Sequence, residues 1–176
     1  MHTAQIIWAL TLALTVSAAL LDWRSRRIPN LLTVPGLLVG VTVHAMSAGW
    51  HGTLFALEGA GLALVLLLAP VLTRVLGAGD WKLMGAVGAL LGPVLMLFVL
   101  LSSVFAVGLM AFVQMMRAGI VVQTFRNMIV LVRGIFAFGL KPNPLMSLDS
   151  PGAMKLPFGV AVALATFICF CARWVV

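Results

Sequence analysis

Long apolar runs with very few charges are the feature that most constrains how this chain can fold. Hydrophobic residues make up 63% of the 176 residues, and charged residues only 9%. Soluble domains average about 45–50% apolar and about 25% charged residues. A water-soluble domain of this length could not hide so much apolar surface, so the chain is predicted to fold in lipid. Because a bilayer-spanning helix needs roughly 20 apolar residues, we expect about six spans in a single membrane domain, residues 1–176.

The predicted architecture is all-α: a polytopic membrane protein with about six transmembrane helices and one helix at the cytoplasmic interface. The spans are expected at about 3–21, 31–46, 53–72, 80–91, 93–116 and 156–175. The connection 117–155 carries most of the remaining polarity, and apolar residues recur at helical spacing in its first half. This pattern is typical of an amphipathic helix that lies on the membrane surface. A seventh span there would have to bury Arg126, which is unfavourable.

The basic residues predict how the chain is oriented. The loops after the first, third and fifth predicted spans hold ten of the eleven Lys and Arg residues, and only Arg173 falls on the other side. Basic residues collect on the cytoplasmic side of membrane proteins, so these loops are predicted to be cytoplasmic and both termini to be outside. The net charge of +7 is therefore explained by topology, and we expect lipid and no nucleic acid as a partner.

Two of the four acidic residues share one local pattern. Asp22 and Asp80 are each followed by Trp and then by a basic residue. Tryptophan prefers the membrane interface, so both aspartates are predicted at the cytoplasmic edge of the bilayer, where side chains of different helices can meet. Two carboxylates brought close cannot both ionise easily, and one keeps its proton. An aspartic protease needs such a pair, because one carboxylate takes a proton from water and the other donates to the scissile carbonyl.

Simpler roles are open for each acidic residue taken alone. Asp80 follows a glycine and could be a helix N-cap, and Asp22 could pair with Arg26 at the interface. Glu58, predicted near the outer side, and Asp149, in a predicted turn, are expected to be structural. The histidines have no carboxylate or cysteine cluster beside them, so we expect no metal site and no cofactor.

Three short elements occur in a fixed order along the chain. The first is Asp22 followed by Ile28-Pro29-Asn30, the second is Gly77-Ala78-Gly79-Asp80-Trp81-Lys82, and the third is Pro157-Phe158-Gly159. Together they resemble the aspartate motifs and the last-span element of the type IV prepilin peptidases, which are GxGD-type membrane aspartic peptidases. The resemblance covers nearly the whole chain. The chain is similar to the short Flp/Tad-type form, because it lacks the cysteine-containing insert of the large methylating members.

The resemblance implies an aspartic endopeptidase of the bacterial plasma membrane. Such an enzyme removes the short cytoplasmic leader of prepilin-like precursors where the leader meets the hydrophobic helix. Asp22 and Asp80 would be the catalytic pair, and the precursors would be the protein partners. The supporting motif residues would be Gly77, Gly79, Lys82, Ile28, Pro29, Asn30, Pro157, Phe158 and Gly159.

Other functions stay open at this point. An archaeal preflagellin-type peptidase is a close alternative. A transporter or proton channel would need acidic residues at several depths, and the sequence leaves a gap between Glu58 and the predicted cytoplasmic pair. A non-catalytic membrane subunit of a pilus or secretion assembly would tolerate replacement of Asp22 and Asp80.

Overall fold

The computed structural model describes residues 2–119, 126, 129 and 156–172. Every regular element in these residues is a helix, so the prediction of an all-α chain is confirmed there. The predicted interfacial helix and loop at 117–155 lies outside the described residues from position 120 onward, apart from the two helical residues 126 and 129. The helices are α1 (His2–Ser25), α2 (Asn30–Leu66), α3 (Leu68–Leu72), α4 (Ala78–Ala118) and α5 (Phe158–Ala172).

Three helices of the described part, α1, α2 and α4, are long and apolar enough to cross a membrane, and α5 is apolar but shorter. The outer surface of these helices carries large hydrophobic side chains. Leu31 is 86% exposed and Met46 is 84% exposed, an arrangement that water would disfavour and lipid would not. The chain is therefore built as a membrane protein, with apolar side chains on its outside as well as in its core.

The chain folds back on itself in the middle of α2, where Ala48 and Gly49 leave helical conformation. The first half of α2, residues 30–47, and the second half, residues 50–66, both pack against the beginning of α4. The contacts are Gly36 with Ala86 and Gly40 with Ala89 in the first half, and Gly59 with Gly88 and Leu64 with Gly85 in the second. These contacts advance along α4 in opposite directions, so the two halves are antiparallel. The predicted spans 31–46 and 53–72 lie in these halves and in α3.

A second break lies inside α4, where the sequence predicted a boundary between two spans. Gly92 has a positive φ of 76° and is followed by Pro93, which has no N–H to donate. The Leu90 carbonyl beside the break accepts a hydrogen bond of 2.9 Å from His44 Nε2. The Phe55 ring occupies the space that a side chain at Gly92 would need. The kink is thus held by residues of α2, and His44 has a structural partner.

Helices α1 and α5 run antiparallel, so the chain's first and last described helices meet at both ends. Near one end the rings of Trp8 and Phe170 pack edge to face with centroids 5.7 Å apart. Near the other end Gly159 contacts Asp22. The start of α2 lies at this second end as well, because only residues 26–29 separate it from the end of α1. The start of α4 lies beside it, where Lys82 is hydrogen-bonded to Asn30. Four helix termini therefore converge on one end of the bundle.

Candidate active site

The structure brings all three predicted motif elements to this one end of the bundle. Asp22 lies in the last turn of α1, and Asp80 lies in the first turn of α4. The other motif residues lead into or begin α2, α4 and α5. They are Ile28, Pro29, Asn30, Gly77, Gly79, Lys82, Pro157, Phe158 and Gly159.

Asp22 is buried, with only 6% of its surface exposed. Its Oδ2 accepts a hydrogen bond of 2.8 Å from the backbone N–H of Gly159. The first N–H groups of a helix have no partner within the helix, and α5 begins at Phe158, so Asp22 satisfies one of these groups. A side chain at Gly159 would lie 3.1 Å from Asp22 Cβ. The absence of that side chain lets the two backbones approach closely enough for the hydrogen bond.

Asp80 is half-buried and takes a hydrogen bond from the backbone N–H of Gly77. Helix α4 begins at Ala78 with Gly77 as its N-cap, so Asp80 is the third helical residue and reaches back to the cap. An acidic residue at this position satisfies an unpaired N–H as the acid of a capping box does. The N-cap role considered for Asp80 from sequence is therefore wrong, because Gly77 holds that position.

The two carboxylates come from different helices and interact electrostatically across the contact between α1 and α4. Each carboxylate is also held by one backbone N–H, from Gly159 for Asp22 and from Gly77 for Asp80. Like charges that interact in partly buried surroundings favour a state with one proton shared by the pair. Such a pair offers one proton acceptor and one proton donor at the same place, which is what hydrolysis by two carboxylates requires.

The segment before α2 joins the two aspartate elements. Gly79 packs on Ile28 so closely that a Cβ on the glycine would lie 3.0 Å from the Ile28 carbonyl oxygen. Lys82 Nζ donates a hydrogen bond of 3.0 Å to Asn30 Oδ1. Pro29 is the extended N-cap of α2. The partner of the motif lysine is thus the amide oxygen of another motif residue.

Sequence reasoning treated the two tryptophans of the repeated pattern as equivalent, but their surroundings differ. Trp23 is 68% exposed, whereas Trp81 is half-buried and its Nε1 donates a hydrogen bond of 2.8 Å to the Leu64 carbonyl. Trp81 thereby ties the start of α4 to the end of α2. No local signal in the sequence distinguishes the two, because the difference depends on which helix packs beside each residue.

The remaining acidic residues do not join the pair. Glu58 is exposed in the second half of α2, and Asp149 lies outside the described residues. Among residues 2–119 and 156–172, no three His, Cys, Asp or Glu side chains are grouped so that they could hold a metal ion.

The helices and the site together define a class of protein: a helical membrane protein with two interacting carboxylates at one end of its bundle. The sequence matches the model of the type IV leader peptidase family over residues 8–112, a stretch that includes both aspartates and ends before α5. The chain belongs to this family, and its membership indicates a protease. No curated protein and no solved structure matches the chain significantly.

Proposed function

We propose that the protein is a membrane-embedded aspartic endopeptidase that removes the short cytoplasmic leader from prepilin-like precursors. The cut would fall where the leader meets the precursor's hydrophobic helix, and Asp22 and Asp80 would be the catalytic pair. The observation that carries this proposal is that two carboxylates from separate helices lie at the same end of the long apolar helices, near enough for the charge of one to affect the ionisation of the other. A precursor helix in the same bilayer would bring its leader junction to that depth.

The proposed reaction uses the pair in its singly protonated state. The ionised carboxylate takes a proton from water while the water oxygen attacks the scissile carbonyl carbon, and the protonated carboxyl gives its proton to the carbonyl oxygen. The tetrahedral intermediate then collapses: the C–N bond breaks, the leaving nitrogen takes up the proton held by the first carboxyl, and one hydroxyl of the intermediate returns its proton to the second carboxylate as the carbonyl group re-forms. The pair is again singly protonated. The backbone N–H groups of Gly159 and Gly77 keep the two carboxyl groups oriented during these transfers.

We further propose six spans, with both termini outside and the site at the cytoplasmic face of a bacterial plasma membrane. Straight helices of 37 and 41 residues would be about 55 and 60 Å long, which is nearly twice the roughly 30 Å hydrocarbon layer. The breaks at Ala48–Gly49 and Gly92 divide each of them into two segments: residues 30–47 and 50–66 of α2, and residues 78–91 and 93–118 of α4. The 14 residues of 78–91 are the shortest of these segments, at about 21 Å, so the bilayer would have to thin beside them. With α1 and α5 these segments make six, and the basic loops then fall on the side of the aspartates. We propose a Flp/Tad-type enzyme, because no cysteine occurs before Cys169 and the sequence thus holds no cysteine-containing insert between the two aspartate motifs.

The test compares cleavage of co-expressed prepilin-like precursors by the wild type, Asp22→Asn and Asp80→Asn. The amide keeps the size of the side chain and removes its proton chemistry, so each variant should lose at least about 100-fold in rate, a typical share for acid–base catalysis. Glu58→Gln is the matched control, because it neutralises an acidic residue away from the pair and should cleave like the wild type. All variants should insert into the membrane to the same level.

Each other outcome has a defined meaning. If either asparagine variant cleaves at the wild-type rate, the protein is a peptidase but Asp22 and Asp80 are not its catalytic pair. A wild type that shortens none of the precursors would favour the non-catalytic subunit of a pilus or secretion assembly.

A further inference from the structure

Arg26, the residue that follows α1, has a backbone conformation that arginine rarely adopts. Its φ is +52°, in the left-handed region that favours glycine. Its backbone N–H donates a hydrogen bond of 2.9 Å to the carbonyl oxygen of Asp22, which closes the end of the helix as a left-handed C-cap does. Glycine would close this turn without strain. The reason for an arginine here is therefore to be sought in its side chain, since strained residues of this kind concentrate at functional sites.

The charge of Arg26 acts on the Asp22 carboxylate. Arg26 follows Asp22 by four residues, and the backbone hydrogen bond between them keeps the two residues in the same turn at the end of α1. Within the described residues, the groups that act on Asp22 are Arg26 from its own segment, Asp80 from α4 and the Gly159 N–H from α5. Arg26 is exposed, as are its neighbours Arg24 and Arg27, but of the three only Arg26 is among the groups that act on Asp22.

We infer that Arg26 is a positioning residue of the peptidase: the left-handed turn after α1 holds its guanidinium beside Asp22, where it stabilises the ionised forms of the Asp22–Asp80 pair. This inference rests on the proposed function of that pair. The reaction needs a pair that has lost one proton and kept the other, so the charge of Arg26 sets the pH range in which the site works. Arg26 itself touches no reacting atom.

The experiment measures the pH profile of kcat/KM for precursor cleavage by the purified full chain in lipid nanodiscs. Arg26→Gly should keep the turn and the unfolding temperature, because glycine suits a positive φ. Both limbs of the profile should nevertheless move to higher pH by roughly 0.5–1 unit, since a positive charge beside a carboxylate favours its ionised form. Arg26→Lys should restore most of the wild-type profile. In about 1 M salt, where the screening length is about 3 Å, the wild-type profile should approach that of Arg26→Gly.

Arg74→Gly is the matched control. Arg74 is the other described non-glycine residue with a positive φ, +56°, and it lies in the turn after α3, where its backbone N–H donates a hydrogen bond of 3.0 Å to the Val71 carbonyl. Its replacement also removes one charge and relieves one strained turn, and it should leave the pH profile in place.

If the wild type cleaves the precursor, the proposed function stands, and two results would then overturn the inference about Arg26. One is an Arg26→Gly profile that coincides with the wild type. The other is an equal shift in Arg74→Gly, which would assign the effect to the general positive potential of this end of the protein. A wild type that cleaves no precursor would instead overturn the proposed function, and this inference with it.

Discussion

Replacing Gly159 with alanine tests whether α5 holds the Asp22 carboxylate in its working position. The added methyl group would lie 3.1 Å from Asp22 Cβ, 3.2 Å from Asp22 Oδ2 and 3.3 Å from the Ala18 carbonyl oxygen. Favourable contacts between carbon atoms are about 3.5–4.0 Å, so α5 or the Asp22 side chain must move by a few tenths of an ångström. The Ala18 carbonyl belongs to α1 and cannot give way alone. The movement therefore falls on the hydrogen bond between Gly159 and Asp22.

The size of the effect follows from that hydrogen bond. The bond is 2.8 Å long and joins a backbone N–H to a carboxylate. Hydrogen bonds to charged groups contribute about 1.5–3 kcal/mol, and about 1.4 kcal/mol corresponds to a tenfold change in rate. We expect Gly159→Ala to lower kcat/KM by about 10–100-fold. The free energy of unfolding should fall as well, because the weakened hydrogen bond and overpacking of about 1–3 kcal/mol are only partly offset by alanine's helix preference of about 1 kcal/mol.

The assay is single-turnover cleavage of a precursor in nanodiscs with enzyme in excess, together with thermal unfolding of the same samples. Gly61→Ala and Gly108→Ala are matched controls, because among the described residues a Cβ at either position meets no atom of another segment within 4 Å, and both should cleave like the wild type. A Gly159→Ala enzyme with wild-type rate and wild-type stability would refute the conclusion that α5 holds Asp22.

Two further predictions concern the packing of the helices. Gly88→Ala would place a methyl group against the backbone of Gly59 and should destabilise the protein by at least about 1–3 kcal/mol. Gly61→Ala is the control and should not destabilise it. Equal unfolding temperatures of the two variants would contradict the close approach of α2 and α4. The buried Thr33 hydroxyl has no hydrogen-bond partner among the described residues, whereas the Thr15 hydroxyl is bonded to a backbone carbonyl. Thr33→Val should therefore leave the free energy of unfolding unchanged or raise it by up to about 1 kcal/mol, as measured by chemical denaturation. If Thr33→Val lowers this free energy more than Thr15→Val does, the Thr33 hydroxyl has a partner.

The sequence predicted the elements of the site better than their contacts. Asp22 and Asp80 could be placed at one end of the bundle because apolar runs locate helices and the adjoining tryptophans indicate the interface. The hydrogen bond between Asp22 and Gly159 could not be derived, because it joins residues 137 positions apart and depends on how α5 packs. The contact of Lys82 with Asn30 is of the same kind, since either a lipid or a protein group could satisfy an ammonium at this position.

The helix boundaries show a similar limit. The sequence predicted a linker at 47–52, whereas α2 continues through this region with only Ala48 and Gly49 outside helical conformation. Polar and small residues indicated that the chain turns there, but not that two residues are enough to reverse it. Helix α4 breaks at Gly92, the residue between the predicted spans 80–91 and 93–116. The hydrogen bond from His44 beside this break depends on a helix that the local sequence does not reveal.

The hydrogen bond between Asp22 and Gly159 also has a consequence for biosynthesis. Asp22 leaves the ribosome 137 residues before its partner, a delay of roughly 7–27 s at bacterial elongation rates of about 5–20 residues per second. During that time the aspartate pair can form only without the support of α5. A nascent or truncated chain without α5 therefore carries both aspartates but an unfinished site, and the contact that orients Asp22 forms only after α5 has been inserted.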